Sequence, residues 1–175
     1  LALKNDGTLV GWGLAGKFPN YTNLVAIAAG YNMSLALQAD GTVLAWTSTG
    51  GASPVPAGLS NVVAISSVAG SSANYGNNSL ALKSDGTFVA WGNNLSSQLS
   101  IPPELTSAIY PVAAAGFSLA MLNDRSPSFA SQPLDRHSAS GKNVTLAALA
   151  VGQPNLNFQW RLNSNDIPGA TSPTL

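Results

Sequence analysis

The sequence contains no cysteine, one histidine and few charged residues, and each of these shortages excludes a kind of site. Without cysteine there is no disulfide framework. A single histidine, His137, excludes a metal site built from several histidines, and any Ser-His-Asp triad would have to use it. Charged residues make up 8% of the 175, and seven basic residues balance seven acidic ones. The chain therefore carries no electrostatic footprint for nucleic acid or anionic lipid.

Long apolar runs are missing as well. The longest, from Val112 to Leu122, is interrupted by Gly116 and Ser118 and is too short to span a bilayer, so we expect no membrane insertion in this segment. Hydrophobic residues nevertheless reach 45%, which is enough for a packed core. Many Ser, Thr, Asn and Gly residues with few charges are typical of extracellular bacterial proteins, and we predict an extracellular or cell-surface location.

A hairpin-like sequence occurs three times and is followed by a degenerate copy. The copies read LALKNDGTLVGWG from Leu1, SLALQADGTVLAWTS from Ser34 and SLALKSDGTFVAWGNN from Ser79, with SLAMLNDRS from Ser118. Their Asp-Gly pairs are 34 and 45 residues apart, and a tryptophan follows each pair at the same offset. Uneven spacing with a constant hairpin predicts a repeat architecture with variable loops. The shared residues are Asp6, Gly7, Asp40, Gly41, Asp85, Gly86, Trp12, Trp46 and Trp91.

The Asp-Gly pairs are predicted to be structural turns. Aspartate accepts local backbone hydrogen bonds, and glycine takes the positive φ that a hairpin turn requires. No D-x-D-x-D spacing accompanies them, which favours the turn over a calcium site. The tryptophans hold fixed places in their hairpins, so we interpret them as core or blade-packing residues rather than as a carbohydrate platform.

Each repeat is predicted to be an antiparallel meander of about four strands. Short apolar strands precede the later hairpins, at 24–30, 62–66 and 112–116. A Gly/Pro-rich stretch such as 50–56 follows the hairpin and is expected to hold a short outer strand, where proline is tolerated. Four such strands make one blade of a β-propeller, so the predicted fold is all-β and contains a partial propeller.

The repeats resemble those of a known family. The stretches VAIAAGYNMSLALQADGTVLAW and SLALKSDGTFVAWGNNLSSQL are similar to the repeat of the regulator of chromosome condensation family, in its bacterial secreted form with a Pro-Pro linker at 101–105. The resemblance covers residues 1–122 and implies a seven-bladed propeller. The histidine that usually precedes Ser-Leu-Ala is replaced by Met33 and Asn78, and the last copy lacks both the Asp-Gly turn and the tryptophan.

Three to four repeats do not close a seven-bladed ring. The sequence starts at Leu1 without a methionine and part-way through a repeat, so we expect a fragment with further blades upstream. An open ring leaves strand edges and apolar faces unpaired, and the isolated chain is therefore expected to associate. Nucleotide exchange on a small GTPase, which is known in the family, is not transferred because no matching functional residues are identifiable.

A second module is predicted after a linker at residues 123–127. Val144, Leu146 and Ala148 alternate along one face of a strand, and Phe158 and Trp160 do so along another. Residues 128–175 resemble the front half of a bacterial immunoglobulin-like domain. That resemblance implies that Trp160 is the structural core tryptophan of the third strand and that Ala148 stands near the usual position of a disulfide-bonded cysteine.

The catalytic inventory is small, and we predict a protein that is not an enzyme and needs no cofactor or metal. His137 lies in a polar stretch and is interpreted as an exposed bystander rather than a general base. The carboxylates outside the turns have no evident acid/base partner; they are Glu104, Asp124, Asp135 and Asp166.

The loops contain better candidates for functional residues than the few titratable side chains do. In a meander the Asp-Gly turns share one end, while the other connections share the opposite end. We therefore predict ligand-binding loops that carry Phe18, Tyr21, Tyr31, Asn74 and Tyr75. The predicted function is non-catalytic binding or adhesion, with a protein or glycan as ligand. Three alternatives stay open: a non-catalytic part of a polysaccharide-active extracellular enzyme, a purely structural stalk, or tyrosines that merely cover their own blades.

Overall fold

The computed structural model describes residues 1–12, 21–30, 33–47, 54–68, 77–103, 105–122, 126–135, 140, 143–152 and 156–175. Within these ranges the chain forms β-strands and no helix, which confirms the all-β class. In chain order the strands are β1 (Ala2–Leu3), β2 (Leu9–Val10), β3 (Leu24–Ala29), β4 (Met33–Gln38), β5 (Val43–Thr47), β6 (Val62–Ser67), β7 (Asn78–Lys83), β8 (Phe88–Gly92), β9 (Ala108–Ala114), β10 (Phe117–Leu122), β11 (Ser128–Ser131), β12 (Leu149–Val151), β13 (Arg161–Leu162) and β14 (Asn165–Asp166).

Four antiparallel sheets follow one another along the repeats. Sheet 1 consists of β1 and β2, sheet 2 of β3–β4–β5, sheet 3 of β6–β7–β8, and sheet 4 of β9 and β10. Every strand pairs with its neighbour in sequence, so each sheet is an up-and-down meander. The central strands β4 and β7 bury both faces because leucine and alanine alternate along them.

The Asp-Gly-Thr turns close the hairpins in the same way in sheets 1, 2 and 3. In sheet 2 the Asp40 carboxylate accepts a hydrogen bond from the Thr42 amide at 2.9 Å. The Gly41 amide donates to the Gln38 carbonyl at 3.0 Å. Equivalent bonds recur in the other two turns, and the three glycines have φ angles of 77°, 83° and 82°. This left-handed conformation is easily adopted only by glycine.

Successive sheets pack front to back. We call the front face the one that carries the leucines of the Ser-Leu-Ala-Leu pattern, Leu35 and Leu37 in sheet 2. The back face carries the alanine between them and the tryptophan, Ala36 and Trp46. The front of sheet 1 packs on the back of sheet 2 in a cluster of Leu1, Leu3, Leu9, Leu24, Ile27, Ala36, Leu44 and Trp46. A larger cluster joins sheets 2, 3 and 4 in the same way. One interface therefore repeats along the chain.

Each turn glycine also contacts the sheet that follows it. The Gly7 carbonyl accepts a hydrogen bond from the Leu24 amide, and the Gly41 carbonyl accepts one from the Val62 amide, both at 3.3 Å. Leu24 and Val62 are the first residues of β3 and β6. The turn of one sheet thereby fixes the start of the next.

The structure differs from the predicted four-stranded blade. Among the described residues, sheets 2 and 3 have three strands each, and residues 54–61 contain no strand. Two prolines, Pro54 and Pro56, remove backbone donors there, and the segment instead turns with the Leu59 amide donating to the Pro56 carbonyl at 3.2 Å. The rest of the predicted outer strand, at residues 50–53, lies outside the described residues.

The C-terminal segment packs against the repeats. β11 pairs with β12. Just before β12, the amides of Leu146 and Ala148 donate to the carbonyls of Leu175 and Pro173, and the Leu175 amide donates to the Leu146 carbonyl, each at 2.9 Å. Ala147, Leu149 and Val151 are buried in the same cluster as sheets 2 and 3. The Gly152 amide donates to the Ser84 carbonyl, beside the turn of sheet 3, at 3.3 Å. This segment therefore covers part of the end where the Asp-Gly turns lie.

Gly86→Ala is expected to lower the free energy of unfolding more than Gly58→Ala. Both glycines have positive φ, 82° and 77°, so alanine is strained by about 1 kcal/mol at either position. A Cβ at Gly86 would lie 2.7 Å from the Thr106 carbonyl oxygen, whereas one at Gly58 would meet nothing within 4 Å. We expect a loss of about 2 kcal/mol or more for Gly86→Ala, measured by chemical denaturation. Equal losses would show that the turn does not abut the next sheet.

Candidate functional site

The two ends of the sheets differ in how much their connections vary. At the Asp-Gly end, the connection between the second and third strands is four residues long in sheets 2 and 3, at 39–42 and 84–87. At the opposite end, which we call the loop end, the connection between the first and second strands has three residues in sheet 2 (30–32), ten in sheet 3 (68–77) and two in sheet 4 (115–116). In sheet 1 the Asp-Gly connection has five residues, at 4–8, so connection length varies much more at the loop end, which is typical of binding loops on a constant scaffold.

The predicted ligand-binding residues belong mostly to the variable connections. Tyr31 lies in the three-residue connection, and Asn74 and Tyr75 lie in the ten-residue one; these three and Phe18 fall outside the described residues. Tyr21 is described, and it packs between sheets 1 and 2. Its ring lies 5.6 Å from that of Trp46, so it is half-buried in the interface rather than at a loop tip. Apolar contact with an indole explains this placement.

Buried polar groups lie at the loop end of sheet 3, where β7 begins after the ten-residue connection. Asn78 is fully buried, and its side-chain amide has no hydrogen-bond partner among the described residues. The indole nitrogen of Trp91 on the neighbouring strand is also buried without such a partner. A buried polar group without a partner lowers stability by about 1–3 kcal/mol. At the loop end, sheet 3 thus has a buried polar side chain, Asn78, at the position that Met33 occupies in sheet 2.

The tryptophans occupy different environments. Trp46 is 1% exposed, and Trp91 is partly buried against the larger core cluster, so both pack between sheets. Trp12 differs from the predicted core role because it is 67% exposed. Trp46 and Trp91 lie opposite Ser34 and Ser79, but the register of the first hairpin leaves no residue of this sequence opposite Trp12.

Trp160, in the C-terminal segment, is partly buried, and its indole donates to the Ser172 carbonyl at 2.8 Å. Ala148 lines the same cavity of ≈ 360 Å³ as Trp160. This cavity lies between β12 and the segment that carries Phe158 and Trp160.

A groove of ≈ 650 Å³ lies at the Asp-Gly end, between sheets 2 and 3 and the C-terminal segment. Its walls are mainly apolar, and two turn carboxylates reach it. One oxygen of each carboxylate accepts the amide of the threonine that follows it in the turn. The groove is lined by Val62, Val63, Leu149, Leu156, Phe158, Asp40 and Asp85 among others. We interpret the groove as the junction between the repeats and the C-terminal segment rather than as a binding site, because both carboxylates are hydrogen-bond acceptors within their own turns.

The turn hydrogen bonds lower the pKa of two aspartates. The hydroxyl and amide of Thr8 hold the pKa of Asp6 below its usual value. Partial burial raises the pKa of Asp85, but hydrogen bonds from Thr87 and Lys83 outweigh burial, so the pKa of this carboxyl is also lowered. Both groups therefore favour the charged, accepting form that the turn uses.

Other titratable residues are dispersed. His137, Glu104 and Asp124 lie outside the described residues. Asp166 forms an exposed ion pair with Arg161 at 2.6 Å. The described ranges contain no cluster of three or more histidine, cysteine or acidic side chains able to hold a metal ion. They also contain no helix with the length and apolarity needed to cross a membrane.

Comparison with known proteins gives a weak structural likeness. No family model matches the chain, and no curated protein matches it. The solved structures that match include the crystal structure of human WBSCR16, with 19% sequence identity and a TM-score of 0.36. The match covers 82% of this chain and 37% of that chain, so the sequence spans little more than a third of WBSCR16. A likeness at this level carries no argument about fold or function.

The contribution of Asp85 to stability is expected to depend on pH. Because its pKa is lowered in the folded state, the charged form stabilises the protein above the unfolded pKa of about 3.9. That contribution is lost as the pH falls through the folded pKa. Wild type should therefore exceed Asp85→Asn in denaturation midpoint at pH 7, and the difference should shrink below about pH 4. Asp135→Asn controls for the change in net charge, and a difference that is independent of pH would contradict the argument.

Asn78→Leu is expected to raise the free energy of unfolding by about 1–3 kcal/mol, because leucine has a similar shape and leaves no buried amide unpaired. The reciprocal change Met33→Asn, at the equivalent position of sheet 2, should lower it by a similar amount. Chemical denaturation followed by tryptophan fluorescence measures both. A loss of stability in Asn78→Leu would show that the amide has a partner.

Proposed function

We propose that the chain is part of a non-catalytic binding module of a secreted or cell-surface protein, and that the loop end of the sheets holds the ligand. In this proposal the sheets are blades of a β-propeller of the regulator of chromosome condensation type, and residues 128–175 are part of an immunoglobulin-like domain. The repeated front-to-back packing of antiparallel meanders supports the propeller. The shared cavity of Ala148 and Trp160 supports the second module.

One observation carries the proposal: the connection has four or five residues at the Asp-Gly end of sheets 1, 2 and 3, whereas it ranges from two to ten residues at the loop end of sheets 2, 3 and 4. The constant end is used within the chain itself. Its turns bond to the next sheet, and β12 packs beside the turns of sheets 2 and 3. At the loop end Gly30 also lies close to Val68 of sheet 3, but connection length differs between sheets there, so we expect this end to accept changes in sequence more readily.

The composition of the variable connections favours a protein or glycan as ligand. Tyr31 and Tyr75 supply aromatic rings, and Asn74 supplies an amide, whereas the connections 30–32 and 68–77 contain no charged residue. Aromatic side chains with a polar atom suit both sugar rings and protein interfaces, and each such anchor contributes about 2 kcal/mol or more when truncated. The absence of charge in these connections argues against a strongly anionic ligand.

The test is a loop exchange. Residues 68–77 are replaced by Gly-Tyr-Asn, the connection of sheet 2, and binding is measured on an array of defined glycans and on a panel of immobilised extracellular proteins. We expect binding to fall at least about tenfold in the exchanged variant and in Tyr75→Ala.

The matched control changes the other end of the same sheets. Asp40→Ala and Asp85→Ala should leave binding unchanged, with the fold verified by circular dichroism. Binding that survives the loop exchange but disappears in the aspartate variants would place the site at the Asp-Gly end. A chain that binds neither the glycans nor the proteins would favour a structural stalk.

A further inference from the structure

Among the described residues, the interface between sheets 3 and 4 lacks the tryptophan found in the two interfaces before it. In sheet 2 the third strand places Trp46 opposite Ser34 on the back face. In sheet 3 it places Trp91 opposite Ser79, and both tryptophans pack in the core clusters between successive sheets. Sheet 4 consists of β9 and β10, and β11, which follows, pairs with β12 instead. Ser118 therefore has no tryptophan opposite it.

A cavity of ≈ 420 Å³ lies at the corresponding place between sheets 3 and 4. Ser118, the counterpart of the serines that face the two tryptophans, lines it together with Ala120 on the same face of β10. Another part of the wall comes from Leu80 and Phe88 on the front face of sheet 3. The cavity thus lies between the front of one sheet and the back of the next, as the tryptophans do in the earlier interfaces.

The residues of sheet 3 that line the cavity have counterparts in the cluster around Trp46. Leu80 corresponds to Leu1 of sheet 1, at the start of the Leu-Ala-Leu pattern. Phe88 corresponds to Leu9, which is the second residue after the turn glycine in its hairpin. Leu1 and Leu9 belong to the cluster in which Trp46 is buried to 1% exposure. The positions that surround an indole in the first interface therefore border a cavity in the third.

The chemistry of the cavity wall favours a neutral aromatic molecule. None of the described residues that line it carries a charge, so a charged ligand would lose hydration without gaining an ion pair. The Ser118 hydroxyl donates to the Gln98 carbonyl at 3.0 Å. A hydroxyl that donates one hydrogen bond keeps lone pairs that accept another, for example from the N–H of an indole ring. Three lining serines, Ser96, Ser97 and Ser100, are exposed, so a ligand can enter from solvent.

We propose that the cavity between sheets 3 and 4 is a binding site for a small, neutral aromatic compound of about the size of indole. An apolar cavity in a protein core binds small aromatic molecules such as benzene. The volume of ≈ 420 Å³ lies within the usual range of ligand sites, about 300–1,000 Å³. In the complex the ring packs on Leu80 and Phe88, and its N–H donates to the Ser118 hydroxyl. The site does not include connections 30–32 and 68–77, so the inference is independent of the ligand proposed for the loop end.

Titration of the intact chain with indole, followed by amide chemical shifts in NMR, tests the proposal. We expect saturable shifts at residues that line the cavity, among them Leu80, Gly116 and Ser118, with a dissociation constant on the order of 1 mM or lower. Ala120→Phe places a ring in the cavity and should weaken indole binding at least about tenfold. Ala57→Phe is the matched control, because Ala57 is exposed and does not line the cavity; it should bind indole as the wild type does.

Ser118→Ala tests the polar contact separately from the fit, and it remains informative if Ala120→Phe does not fold. Benzofuran has the shape of indole but carries an oxygen in place of the N–H. The wild type should prefer indole to benzofuran, and Ser118→Ala should reduce this preference about threefold or more, because one neutral hydrogen bond is lost. An unchanged preference would overturn the assigned contact with Ser118.

Three results would overturn the site itself. One is the absence of saturable shifts in the wild type at indole concentrations well above the expected dissociation constant. Another is a set of shifts confined to residues away from the cavity. The third is a folded Ala120→Phe variant that binds indole as tightly as the wild type does.

Discussion

The glycine of each Asp-Gly-Thr turn is the constraint on which the stack of sheets depends. Its positive φ closes the hairpin, and its carbonyl accepts the first amide of the next sheet in two repeats, at Leu24 and Val62. A side chain at this glycine would press on the following segment, because a Cβ added at Gly86 would lie 2.7 Å from the Thr106 carbonyl oxygen. The same residue therefore closes the hairpin and contacts the next sheet, so a change at this glycine affects both.

Connection length varies most at the loop end of the sheets. The connections there vary from two to ten residues without a change in the register of the strands they join. Asn78, which directly follows the longest of them in the sequence, has a buried amide without a partner among the described residues. Stability is lower than it could be at this position, and such positions concentrate at functional sites in proteins. The same sheets therefore provide a scaffold with similar turns at one end and variable connections, where we propose binding, at the other.

Features that depend on a few adjacent residues could be predicted from the sequence, whereas features that depend on packing between sheets could not. Alternating Ser-Leu-Ala-Leu and the Asp-Gly pairs act within a few residues, so the hairpins and the all-β class follow from them. Exposure of Trp12 and burial of Tyr21 depend on which sheet packs on them, and the repeat pattern alone does not show this. Docking of residues 147–151 on the repeats was missed although it had a signal. These five residues are uninterrupted apolar ones, which indicates a strand buried on both faces rather than on one.

The central claim is that the turn of one sheet holds the start of the next. Amide hydrogen exchange measured by NMR on the intact chain tests it at single residues. The account predicts that the amides of Leu24 and Val62, which donate to Gly7 and Gly41, exchange as slowly as that of Ala81 in the centre of sheet 3. Exchange at Leu24 and Val62 as fast as at Ala57, in the strand-free segment 54–61, would contradict it.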